Sequence, residues 1–182
     1  MKIFKIVVKV LLGLIIVFVL FLFGVYYFKI GRYNVDDQKY PYYIGYLNPQ
    51  NTFSPEGFIL CGDKEAVYKT HHGAPKIAYS PNKGIYDRRI RSNFFKNRFN
   101  DSGYINFRFI VNCKGEPGRF ETIQTNLNLE ETSHNSDLVR HLLELTSNPE
   151  NWNIFIHENQ PRNYYTYISY KIEHGEITEI LP

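Results

Sequence analysis

Several stretches of the chain carry a regular alternation of apolar and polar positions, and each predicts an element. In Tyr104–Gly115, Ile105, Phe107, Phe109 and Val111 share one parity while Tyr104, Asn106, Arg108 and Asn112 take the other, the period-2 pattern of a strand with one buried face. Lys114 and Gly115 follow as a turn signal, and a weaker strand from about Arg119 to Asn126 completes a predicted hairpin. In Ser136–Thr146, Leu138, Leu142 and Leu145 recur at helical spacing with Val139 and Leu143 beside them. With Ser136 and Asp137 as start signals and Pro149 beyond its end, this predicts one amphipathic helix. Between Arg162 and Ile172, Tyr164, Ile168, Tyr170 and Ile172 share a parity and predict a third strand; a turn at His174 and Gly175 then leads into Ile177–Ile180, a short fourth strand able to pair back. Upstream, Tyr86, Ile90 and Phe94 lie four apart and place a helix over Ile85–Phe95. The order helix, strand, strand, helix, strand and a short last strand is that of an α+β domain on an antiparallel sheet. Trp152, the only tryptophan, follows the second helix and is read as a structural residue closing the core between helix and sheet.

The N-terminus follows a different pattern. Val10–Phe28 holds no charged residue and is rich in Val, Leu, Ile and Phe. As a helix it is about 28 Å long, close to the hydrocarbon thickness of a bilayer. Lys2, Lys5 and Lys9 precede it and no acidic residue occurs before Asp36, which orients the N-terminus to the cytoplasm, against a smaller opposing bias from Lys29 and Arg32. The segment ends in Val25, Tyr26, Tyr27 and Phe28, an interfacial aromatic belt rather than a small-residue cleavage site, so an uncleaved single-pass anchor is expected in place of a signal peptide. Three regions follow: tail and anchor over 1–32, a pre-domain segment over 33–83, and the α+β domain over 84–182. The pre-domain segment mixes Pro41, Pro49, Pro55, Pro75 and Pro81 with Tyr40, Tyr42, Tyr43, Tyr46 and Phe58. Disordered spacers are poor in aromatics, so part of it is expected to pack on the domain.

The formal charge of +3 belongs to the anchor's flanks, because from Tyr33 onward 16 basic residues face 18 acidic ones. That balance removes the main support for nucleic-acid binding. Basic residues gather at Lys76, Lys83, Arg88, Arg89, Arg91, Lys96 and Arg98 against Asp87 alone, and acidic ones at Glu121, Glu130, Glu131, Asp137, Glu144 and Glu150 against Arg140 alone. Two readings stay open: a basic pole that meets a partner, with Arg88 and Arg91 as its candidates, or solvated helix faces paired with each other. Cys61 and Cys113 are the only cysteines, and outside the cytoplasm two cysteines more often pair than attack substrates, so a disulfide is expected; the rival is two thiols without a role. His71 and His72 are adjacent and diverge, and His134 and His141 lack a third ligand at a metal-site spacing. With no G-x-S-x-G, Gly-rich phosphate loop or H-E-x-x-H, the chain is read as a non-enzyme without metal or cofactor.

The stretch from about Gly84 to Leu181 resembles the C-terminal domain of the TonB family of energy transducers. The resemblance rests on the helix Ile85–Phe95, the strand and turn Gly103–Gly115, the helix followed by Trp152, and the ending Tyr170–Ile180. It covers a little over half the chain and implies a transport-related cell-envelope protein of the inner membrane, its domain in the periplasm. It also implies a protein partner such as an outer-membrane receptor, gripped by adding a strand to the edge of the last long strand. Here that strand is Arg162–Lys171, whose Asn163, Tyr165, Tyr167 and Ser169 become candidate partner-binding residues. The alternative is that Ile177–Leu181 occupies this edge. The chain departs from the family in lacking its long Pro-rich charged spacer and the membrane-embedded histidine that couples to the ExbB and ExbD motor, since none of the six histidines falls in Val10–Phe28. The expectation is therefore an anchored interaction domain, without carry-over of the energised function. The other class is an anchored structural or assembly module of the envelope, and a homodimer is a further arrangement open to either.

Overall fold

The structure, a computed structural model, describes residues 2–28, 47–48, 51–62, 67–69, 78–95 and 97–181. Lys29, Arg32, the aromatics of 33–46, His71, His72, Pro75, Lys76 and Lys96 lie outside the described residues. Contacts divide the chain into two units, Met1–Pro41 and Tyr42–Pro182.

The first unit contains helix α1, Lys2–Tyr26. It begins eight residues before the uncharged run, because lysines interleaved with Ile, Phe and Val sustain a helix as well as the apolar run does. Protein leaves its large apolar side chains uncovered, from Ile3 at 78 % exposure to Tyr26 at 59 %. Ile3–Tyr26 is long and apolar enough to span a membrane.

In the second unit, two helices pack on one face of a six-stranded sheet. Strand β1 is Val67–Tyr68. Helix α2, Lys83–Asn93, starts two residues before the predicted Ile85 because the Asn82 side chain caps it, accepting the Ile85 N–H at 3.0 Å. Strands β2 (Gly103–Val111) and β3 (Pro117–Thr125) form the antiparallel hairpin, with a register shift between Arg108 and Ile110. Its turn is built by Asn112, whose Oδ1 accepts the N–H groups of Lys114 and Glu116 at 2.9 and 3.0 Å. Helix α3, Ser136–Thr146, is capped by Asn135, one residue before the expected start signals. A 3-10 turn, Pro149–Asn151, leads to β4 (Phe155–His157), β5 (Gln160–Glu173) and β6 (Glu176–Leu181).

Strand β5 has 14 residues and β2 has 9. Along one side β5 pairs with β2 and along the other with β1 at Asn163 and Tyr164 and with β6 from Ser169 to Glu173, while β4 pairs with its first residues, Gln160–Arg162. Because β1 runs parallel to β5, the sheet is mixed, which corrects the expected antiparallel sheet. The β5–β6 turn needs Gly175: its φ is +78°, and a Cβ there would strike the Phe99 carbonyl.

The core fills the space between the helices and the sheet. Ile105, Phe107 and Phe109 of β2, Tyr164, Ile168, Tyr170 and Ile172 of β5, and Tyr86, Ile90, Leu138 and Leu142 of the helices are all 1 % exposed or less. Trp152 sits among Tyr79, Tyr86 and Phe109, with ring centroids 4.9 to 5.6 Å away. Its Nε1–H donates to the Thr146 carbonyl at 2.8 Å, so the polar edge of the indole is satisfied inside the core. The phenols of Tyr86 and Tyr170 meet at 2.6 Å, and the Thr146 hydroxyl lies 2.8 Å from Tyr170. Burial pushes the Tyr170 phenol up to about 12, partly offset by these two hydrogen bonds. The network ties α2, β5 and the end of α3 together without a charge.

Candidate interaction surface

Among the described residues of the second unit no helix covers the second face of the sheet, and register assigns its rows. Cross-strand partners share a face, so Thr125, Tyr104, Lys171 and Glu179 form one row and Ile123, Asn106, Ser169 and Leu181 the next. Then come Glu121, Arg108 and Tyr167, and after them Gly118, Ile110 and Tyr165. Residues 51–62 lie against the last of these rows. Phe53 bridges to Phe120 through two backbone hydrogen bonds, Phe58 stands over Gly118 where a Cβ would collide with its ring, and the Ile59 carbonyl accepts the Asn112 side-chain amide at 3.0 Å. Cys61 is joined to Cys113 by a disulfide, with Cα atoms 5.9 Å apart.

Beside this covered end lies a buried ion pair. Arg108 Nη1 is 2.9 Å from Glu121 Oε2, with 6 % and 4 % side-chain exposure, and Arg108 Nε–H donates to the Tyr165 hydroxyl at 3.1 Å. Burial raises the Glu121 carboxyl above its usual range, against opposing pulls from the Arg108 charge and a hydrogen bond from the Asn48 backbone. The other end of the face is more open: Tyr104, Asn106, Ile123, Tyr167 and Ser169 are half-buried and Leu181 is exposed.

The residues picked out from sequence separate on this frame. Asn163 is 2 % exposed and turned inward onto the two cysteines, and Tyr165 is 2 % exposed beneath the covered end. Ser169 pairs with Leu181 of β6 and its hydroxyl bonds to Asn106. The strand edge expected to be free is therefore filled by β6 from Ser169 onward and by β1 at Asn163, which leaves Tyr167 as the accessible member of the set. No described strand pairs with 165–168 on that side. On α2, Arg88 is exposed, but Arg91 is committed: it binds Asp87 at 3.0 Å and donates to the Ile177 carbonyl and, at 3.2 Å, to the Thr178 carbonyl of β6. Arg89 likewise donates to the Glu150 carbonyl and the Asn151 side chain at 2.9 and 2.6 Å. Arg89 and Arg91 thus pin α2 to its neighbours. Among the described residues, no three of His, Cys, Asp and Glu converge as a metal site would require.

Sequence reading missed the Arg108–Glu121 pair, although a signal was present. The two residues are symmetric about the Lys114–Gly115 turn, which makes them cross-strand partners. Comparison with protein-family models, curated proteins and solved structures finds no match for this chain.

Proposed function

We propose that this is a membrane-anchored interaction domain of the cell envelope, held outside the cytoplasmic membrane by α1 and binding an envelope protein on the open half of the sheet face opposite α2 and α3. The observation that carries the reading is the pairing of that face with its opposite. The helix side is sealed by α2 and α3, whereas Tyr104, Ile123, Tyr167 and Leu181 leave aromatic and apolar groups within reach of solvent among hydrogen-bonding Asn106 and Ser169. Such a mixture suits a protein segment better than a small molecule or a nucleic acid. Lys2, Lys5 and Lys9 at the N-terminal end of α1 favour a cytoplasmic N-terminus, and the Cys61–Cys113 bridge fits an oxidising compartment beyond it. The element order shared with the TonB C-terminal domain supports a partner in the envelope, but the occupied edge of β5 moves recognition from strand addition to the face.

The second reading, an assembly module that holds another periplasmic protein without energised motion, is favoured by the committed roles of Arg89 and Arg91 and by the occupied edge of β5. A photo-crosslinking residue placed at Tyr104 or Tyr167 in cells distinguishes the two. Capture of an outer-membrane receptor supports the TonB-like role, and capture of another envelope protein supports the assembly module. Equal capture by a probe at exposed Glu144 on α3 overturns the assignment of this face.

A further inference from the structure

We propose that Asn163 is a positioning residue for the Cys61–Cys113 couple, holding the two cysteines in register whether or not their sulfurs are joined and thereby setting how readily the pair closes. Its side-chain Oδ1 accepts the Cys61 N–H at 3.0 Å and the Cys113 N–H at 3.2 Å, while its Nδ2–H donates to the Cys61 carbonyl at 2.8 Å. All three bonds go to backbone groups and none to sulfur, so none is lost when the disulfide is reduced. An amide side chain offers, without charge, an acceptor oxygen with two lone pairs and a separate donor nitrogen, which together meet two N–H groups and a carbonyl. Asn163 is itself fixed by burial and by β5, next to the Tyr164–Val111 pair of the β5–β2 ladder and opposite Val67 of β1. It gathers residues that lie 102 and 50 positions away in sequence, and the Asn112 bond to the Ile59 carbonyl holds the same junction from the other side.

In the reduced chain one cysteine thiolate attacks a small disulfide such as glutathione disulfide and expels one glutathione thiolate. The second cysteine, as thiolate, then attacks the mixed disulfide, closes the Cys61–Cys113 bond and expels the second. Two electrons pass from the cysteine pair to glutathione disulfide, and the two thiol protons end on glutathione or in solvent. Asn163 acts on the second displacement, because it keeps the attacking sulfur beside its target.

The test equilibrates the full chain in detergent across ratios of reduced to oxidised glutathione, quenches with acid, alkylates, and counts free thiols by intact mass. Asn163→Ala is expected to lower the equilibrium constant for closure at least tenfold, about 30 mV for a two-electron couple. Leu142→Ala, a core change on α3 away from the cysteines, is expected to leave it unchanged. An unchanged constant in Asn163→Ala, or an equal fall in Leu142→Ala, overturns the proposal. If Asn163→Ala does not fold, amide exchange in the reduced wild-type chain decides. Protected Cys61 and Cys113 amides support the clamp, and amides that exchange as freely as an exposed loop overturn it.

Discussion

Single side chains do most to specify this domain where they sit at a boundary between chemistries. Trp152 fills the junction of three aromatic rings and also satisfies the last carbonyl of α3, so Trp152→Ala removes packing and leaves the Thr146 carbonyl unmet. The expected loss is about 3 to 5 kcal/mol in urea unfolding; a stable variant that lost only partner binding would instead make Trp152 a contact residue. Glu121 gives a prediction with a pH signature. Its carboxyl is raised in the folded state, so the folded chain holds that proton more tightly than the unfolded one, and this group's contribution to stability falls as pH climbs from the ordinary glutamate range toward the raised value. In Glu121→Gln that slope should vanish from the stability–pH curve, while at neutral pH Arg108 is left buried without its counter-charge at a cost of about 3 kcal/mol. Asn163 shows why some roles escape a sequence: its parity on β5 was readable, but the groups it binds come from two distant segments that only the fold brings to it.

Elements were legible in proportion to the length of their repeats. The β2–β3 hairpin, α3 and the long β5 each hold enough apolar positions on one face to declare a period, and each was found within a few residues of its predicted limits. Strands β1 and β4 have two and three residues, too few to show alternation; β1 pairs with β5 on the side opposite β2, and β4 pairs with the residues of β5 that precede its ladder with β2. The start of α2 shifted where capping by Asn82 overrode hydrophobic spacing, while α3 kept its expected limits and took its cap from Asn135. Asn135 accepts the Asp137 and Leu138 N–H groups at 2.9 and 3.4 Å, so Asn135→Ala should cost about 1 kcal/mol, read as a lower urea midpoint with unchanged slope. The short β6 is held from α2, where Arg91 covers the Ile177 and Thr178 carbonyls. Arg91→Ala is expected to speed amide exchange across Glu176–Leu181 while leaving the β2–β3 amides protected; uniform acceleration would mean global destabilisation instead.

At the scale of the whole molecule, the sequence displayed a long apolar helix at one end and an α+β unit at the other, but not the route by which 51–62 joins that unit. Proline-rich, aperiodic sequence carries no register, and the attachment depends on contacts such as Phe58 on Gly118 that no local pattern encodes. On the proposed topology, a reporter active only in the cytoplasm and fused after Pro182 should be silent, and a bright signal would reverse the orientation. The disulfide closes a loop over a sequence separation of 52 residues, worth about 4 kcal/mol in the chain-entropy model. Reductant should therefore lower the unfolding midpoint of wild type and leave Cys61→Ser/Cys113→Ser unmoved. The same bond also governs which cuts can shed the domain. α2 and β2 lie inside the ring between Cys61 and Cys113, so a protease that nicks one peptide bond there leaves both pieces covalently joined, separable only on a reducing gel. A cut between Tyr26 and Asn51 is different: it severs the sole covalent route from the N-terminal helix to the domain.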